Sequence, residues 1–141
     1  MILESEFVDL NTPTGIMRTY VHRPKSTSKF PAILFYSEIF QQTGPIERAA
    51  KILASHGFVV LVPEVFHELN EIGTVLNYDD AGRDKGNADK SEKNVQAYDT
   101  DNQAMIDWIV TQKWSNGHIG AMGFCIGGHL AFRAALNPSV K

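Results

Sequence analysis

Two uninterrupted apolar runs constrain this chain more than any other feature. Ala32-Ile33-Leu34-Phe35-Tyr36 and Phe58-Val59-Val60-Leu61-Val62 present no polar face, so each reads as a strand covered by protein on both sides. Between them Gly44-Pro45 opens a helix, since proline suits a first helical turn. Ile46, Ala49, Ala50 and Leu53 recur on one face of that helix and Gly57 stops it. Strand, helix and strand in this order form the repeating unit of a parallel sheet covered by helices.

The remaining segments extend that unit. Ser5 to Leu10 and Ile16 to His22 are strand-like on either side of Asn11-Thr12-Pro13-Thr14-Gly15, which predicts an N-terminal β-hairpin. Glu64 to Lys93 lacks a clear period and is rich in Asp, Asn, Gly and Lys, so a long loop is expected there, a feature often tied to function in a compact domain. Val95, Tyr98, Met105, Trp108 and Ile109 return at helical spacing within residues 94–112. Trp114-Ser115-Asn116-Gly117 reads as a turn, His118 to Met122 as a strand, and Ile126 to about Leu136 as a helix ending ahead of Pro138. The expected class is α/β, a mostly parallel sheet with an N-terminal hairpin, all of residues 1–141 lying in one domain. Ligands bind such sheets at the carboxyl ends of the strands. Residues 37–43, the segment from Glu64 onward and residues 124–128 leave those ends.

Composition narrows the chemistry by exclusion. Thirteen Lys and Arg against sixteen Asp and Glu give a formal net charge of -3, and no basic block stands out, so neither nucleic acid nor an acidic membrane is an expected partner. The acidic N-terminus carries no long apolar run, which points to a cytoplasmic setting. The single cysteine excludes an internal disulfide framework and a multi-cysteine zinc site. The five histidines show no metal-site spacing, and neither a metal nor a cofactor is expected.

That cysteine sits in Gly123-Phe124-Cys125-Ile126-Gly127-Gly128, between a predicted strand and a predicted helix. A sharp strand-to-helix turn forces its central residue into a strained conformation and crowds the positions two before and two after it, where only small residues fit. Gly128 is expected to let the helix pack closely on the sheet. Such a turn lifts the thiol off the backbone at a helix N-terminus, where the dipole and free N–H groups favour a thiolate. The Ile126 N–H is placed to bind an oxyanion. Glu38, just past the strand ending at Tyr36, lies at the same edge. The bland alternatives are a buried cysteine beside a glycine-rich turn and a capping glutamate.

The segment Trp114 to Gly128 resembles the elbow region of the dienelactone hydrolases (carboxymethylenebutenolidases), members of the α/β-hydrolase superfamily. Ser37-Glu38-Ile39-Phe40 is similar to that family's glutamate-containing turn, and Pro63-Glu64-Val65-Phe66-His67 continues the likeness. The resemblance implies hydrolysis of small carboxylic esters or lactones, with Cys125 as nucleophile and a thioester intermediate. It implies that Glu38 controls the thiol and that the Ile39 and Ile126 amides form an oxyanion hole. It further implies that Arg83 binds a substrate carboxylate. His67 lies just past a strand's carboxyl end and could meet substrate together with Glu68, a surface pair being the alternative. Tyr36 reads as a pocket wall or as core.

In that family a histidine base and an orienting aspartate follow the nucleophile in chain order. None of His22, His56, His67, His118 and His129 occupies that place, and His129 should lie along the helix after Cys125 rather than face the thiol. The 141 residues are therefore expected to be the nucleophile-bearing part of a larger domain, with the His and Asp beyond Lys141 and that remaining part as a partner. A different reading is a thiol redox sensor, because a cysteine elbow facing a glutamate also occurs in some flavodoxin-type proteins.

Overall fold

Alternate side chains of one strand meet different helices, and this organises the molecule. The computed structural model describes residues 1–141. In β4 (Val59–Pro63), Val60 and Val62 pack with Ile46, Ala50 and Ala54 of α1 (Gly44–Ser55), while Val59 and Leu61 face the opposite layer. That layer contains Met105, Ile106 and Ile109 of α3 (Val95–Ile109) and Leu130 and Ala134 of α4 (Ile126–Ala134). In β3 (Phe30–Tyr36), Phe35 joins the α1 side and Ala32, Leu34 and Tyr36 the other. Each of the buried Val, Leu, Ile, Phe and Met side chains contributes about 1.5–3 kcal/mol relative to exposure, so runs that are apolar on both faces are what a sheet between two helical layers requires.

The sheet has five strands in the order β1-β2-β4-β3-β5, with β1 (Leu3–Thr12), β2 (Gly15–Pro24) and β5 (Ser115–Gly123) completing the set. β4, β3 and β5 run parallel, and the hairpin joins through an antiparallel β2–β4 pairing. The hairpin is two residues longer at each strand's outer end than its sequence pattern suggests, because Leu3 pairs with Pro24 and Glu4 with Arg23. β5 begins at Ser115, inside the expected turn. Its pairing shifts register between Phe30 and Ala32 of β3, and this shift absorbs Asn116 and Gly117. On the other side of β5, Val140 forms a single parallel bridge with Ile119. No helix is long and apolar enough to cross a membrane.

The segment expected to be one long loop is helical over much of its second half. α2 (Asp80–Glu92) starts at Asp79, whose carboxylate accepts the Gly82 N–H at 2.7 Å. Its buried face is Gly82, Gly86 and Asp89 rather than a row of aliphatic residues. The close approach requires this, since a Cβ at Gly86 would lie 2.8 Å from the Cβ of Ile39.

The junction of α2 and α3 is fixed by buried charge. The Lys93 ammonium bonds Glu68 at 2.9 Å, Asp101 and the Val65 carbonyl, and stands over the Tyr98 ring. His67 Nε2 meets Asp101 at 3.0 Å and Glu68 at 3.1 Å, with its imidazole 1% exposed. Burial alone would push the His67 pKa down, but the hydrogen bonds to Asp101 and Glu68 outweigh it and leave the value raised. Burial likewise opposes the charge on Glu68, and the bonds from His67 and Lys93 overcome it and hold its pKa down at about 2. A raised histidine pKa stabilises the fold fully below the unfolded value of 6.5 and loses that contribution as pH rises through the folded value. The stability difference between wild type and His67→Gln, from urea denaturation, should therefore be largest below pH 6.5 and shrink above it. His22, whose pKa burial lowers, is common to both proteins and cancels.

Candidate active site

The end of β3, the elbow and α2 converge on one corner at the carboxyl edge of the sheet. Cys125 has φ 58° and ψ -125° and stands as the N-cap of α4 with its side chain exposed. A non-glycine residue held there costs about 1–3 kcal/mol and persists only where its surroundings enforce it. They do so by close backbone packing. The Phe124 N–H donates to the Tyr36 carbonyl at 3.2 Å. A Cβ at Gly127 would lie 2.2 Å from that same oxygen, and one at Gly123 would lie 2.3 Å from the Gly127 carbonyl oxygen. Gly128 differs from the expectation. A Cβ there would meet only the Gly123 carbonyl, at an ordinary 3.7 Å, because this position faces away from β3.

Two backbone donors are left free at this corner. Ile126 begins α4 and so has no intrahelical acceptor for its N–H. Ile39 is buried, and its N–H likewise finds no acceptor within the chain. The loop holding Ile39 is tied to its surroundings: Gln41 takes a φ of 68° and accepts the Phe66 N–H at 3.4 Å, and Gly86 of α2 packs on Ile39. Exposed thiol, helix N-terminus and free amides together form an arrangement that can attack a carbonyl and hold the oxygen that becomes negative.

The other sequence-derived candidates fall into distinct places. Glu38 is half-buried beside the elbow, and its carboxylate accepts the Tyr78 hydroxyl at 3.2 Å. Arg83 lies in α2 rather than in a loop, one turn before Gly86, with its side chain 56% exposed and paired with Asp84 at 3.2 Å and Asp80 at 3.3 Å. Tyr36 is core: its hydroxyl donates to Asn102 at 3.1 Å and its pKa is raised by burial. His67 is neither a surface pair nor open to solvent, since Lys93 and Asp101 close the cluster around it. Although His67, Glu68 and Asp101 converge closely enough for a cation, the Lys93 ammonium already supplies one there. No histidine bonds Cys125, and His129 is exposed one turn along α4. Tyr78 escapes sequence inspection because it stands in a polar stretch. The signal available was an aromatic residue directly before a helix-capping aspartate.

The family model for the dienelactone hydrolase family matches residues 17–141. The chain belongs to that family. A Saccharomyces cerevisiae protein named "Putative carboxymethylenebutenolidase" is 41% identical over 147 residues, covering 99% of this chain and 53% of the relative. A Pseudomonas putida protein named "Carboxymethylenebutenolidase" is 29% identical over 110 residues, covering 74% of this chain and 44% of its own length. A solved structure titled "Crystal Structure of Putative Dienelactone Hydrolase" from Klebsiella pneumoniae superposes with a TM-score of 0.85 at 20% identity, over all of this chain and 58% of that one. The α/β-hydrolase-type fold is thus shared, and the chain spans about half the length of the curated relatives it matches. These likenesses favour the hydrolase resemblance over the flavodoxin-type alternative.

The elbow's dependence on two glycines yields opposite signs at adjacent positions. Gly127→Ala should lower stability by about 1–3 kcal/mol or more, because its obstacle is fixed backbone. Gly128→Ala should be neutral or stabilising by up to about 1 kcal/mol, the ordinary gain of alanine in a helix. Chemical denaturation of the two variants measures this directly.

Proposed function

We propose that the chain is the nucleophile-bearing part of a hydrolase of small carboxylic esters or lactones that works through a Cys125 thioester. The observation that carries this reading is the exposed Cys125 thiol at a strained elbow, next to the unpaired Ile126 amide at the start of α4 and with the unpaired Ile39 amide in the loop that leaves β3. The thiolate attacks the carbonyl carbon, a C–S bond forms and the carbonyl electrons move onto oxygen, facing the two amides. Collapse expels the alcohol or enol oxygen, which takes up a proton. Water then adds to the thioester, the C–S bond breaks, and the acid leaves with the thiol restored. The relatives' name, carboxymethylenebutenolidase, favours an unsaturated lactone bearing a carboxylate.

Glu38 governs the thiol from the β3 side, and Arg83 is the fork for the substrate's carboxylate. Arg83 must then exchange Asp80 and Asp84 for the ligand, which its exposure permits. Tyr36 and His67 support the site from behind rather than touching substrate. The chain spans about half the length of these relatives, and the reading assigns the general base and its orienting acid to the part of the domain that it does not span. A lone exposed thiol suits a reducing, cytoplasmic setting.

A nucleophile without its base loses most of its rate, so the 141-residue chain should turn over p-nitrophenyl acetate or an enol lactone slowly. Cys125→Ala should abolish that turnover, by about 100-fold or more, and Cys125→Ser should retain a small fraction. Unchanged turnover in Cys125→Ala would overturn the reading.

A further inference from the structure

We infer that Tyr78 is a positioning residue for Glu38, its hydroxyl fixing the carboxylate that follows the end of β3. The inference rests on the reading above, in which Glu38 governs Cys125. Glu38 is half-buried and has no salt-bridge partner, and the Tyr78 hydroxyl is the one polar group that holds its carboxylate. A glutamate side chain left to itself samples many rotamers, so a single well-placed donor decides where this charge sits.

The direction of the bonds follows from proton counting. Tyr78 has one hydroxyl proton and gives it to Glu38 Oε1 at 3.2 Å, so the 2.6 Å contact with Thr43 Oγ1 is a bond that Thr43 donates and Tyr78 accepts. The result is an ordered relay from Thr43 through Tyr78 to Glu38. Burial first, and the Glu38 charge after it, raises the Tyr78 pKa, which keeps the phenol protonated and donating at neutral pH.

Tyr78 is itself held from three sides. Its ring packs on Phe40 with centroids 4.7 Å apart, the Leu76 N–H donates to the Phe40 carbonyl at 3.1 Å, and Asp79 next in sequence caps α2. The stretch from Leu76 to Gly86 therefore straps the loop that contains Glu38 and Ile39, and Tyr78 is where the strap touches the carboxylate. The elbow is close by: Gly127 lies against the Tyr36 and Ser37 carbonyls, immediately before Glu38.

Cys125 is the chain's only cysteine, so its reactivity can be read without ambiguity. The experiment is the rate of iodoacetamide alkylation by intact mass, between about pH 5 and pH 9, for wild type, Tyr78→Phe, Glu38→Gln and the double variant. Tyr78→Phe keeps the ring on Phe40 and removes only the hydroxyl. It should displace the pH profile in the same direction as Glu38→Gln, with at least about a twofold change in rate, and the double variant should match Glu38→Gln alone. A wild-type profile in Tyr78→Phe beside a displaced Glu38→Gln overturns the inference and leaves the role of Glu38 standing. A wild-type profile in Glu38→Gln overturns both. Full additivity in the double variant also overturns the inference, because Tyr78 would then act independently of Glu38. Should Tyr78→Phe fail to fold, Tyr78→Leu, which also removes the hydroxyl, takes its place with the same expected direction and the same overturning result.

Discussion

The contact on which the rest of the site depends is backbone against backbone, where the end of β3 meets the elbow. The Tyr36 carbonyl receives the Phe124 N–H, and the space around that oxygen would be filled by any side chain at Gly127. With both elbow glycines in place, β5 turns into α4 across two residues, Phe124 and Cys125. The strain in Cys125 is thus imposed by packing of the central strands, whose stability comes from side chains buried on both faces of the sheet. The core positions the thiol, and the thiol needs no bond of its own to stay in place.

The second half of the site is held by a helix that contributes almost no apolar surface. α2 leans on the Ile39 loop through Gly86 and is tied to the charge cluster at Lys93 by its own C-terminal end. Its approach is close because its contact face carries no side chains beyond Cβ until Asp89. The Ile39 amide, the Glu38 carboxylate and the Arg83 guanidinium therefore all depend on one brace running from Leu76 to Gly86.

This explains which parts of the molecule were legible in the sequence. β3, β4, α1 and the elbow were visible because apolar periodicity and glycine spacing record tertiary packing directly. α2 was hidden for the converse reason: glycines at 82 and 86 and an aspartate at 89 read as loop composition, although they mark a helix packed at short range. The start of β5 was masked by Asn116 and Gly117, which a register shift absorbs. His67 read as a substrate contact or a surface residue because its partner Asp101, and the Lys93 that closes the cluster through Glu68 and Asp101, come from the next helical junction and are brought to it only by folding. Of the candidate site, Cys125, Glu38 and Ile126 stood out from motif and position, and Ile39 only through the family resemblance. Tyr78, whose importance lies in where its hydroxyl reaches, was not.

In the proposed chemistry the elbow presents Cys125 as an acyl acceptor. Intact-mass analysis of the 141-residue chain after brief exposure to p-nitrophenyl acetate tests it most directly. One acetyl adduct per chain is expected, mapped to Cys125, released by hydroxylamine as a thioester should be, and lost in Cys125→Ala. Labelling spread over lysines, or an adduct that persists in Cys125→Ala, would contradict it.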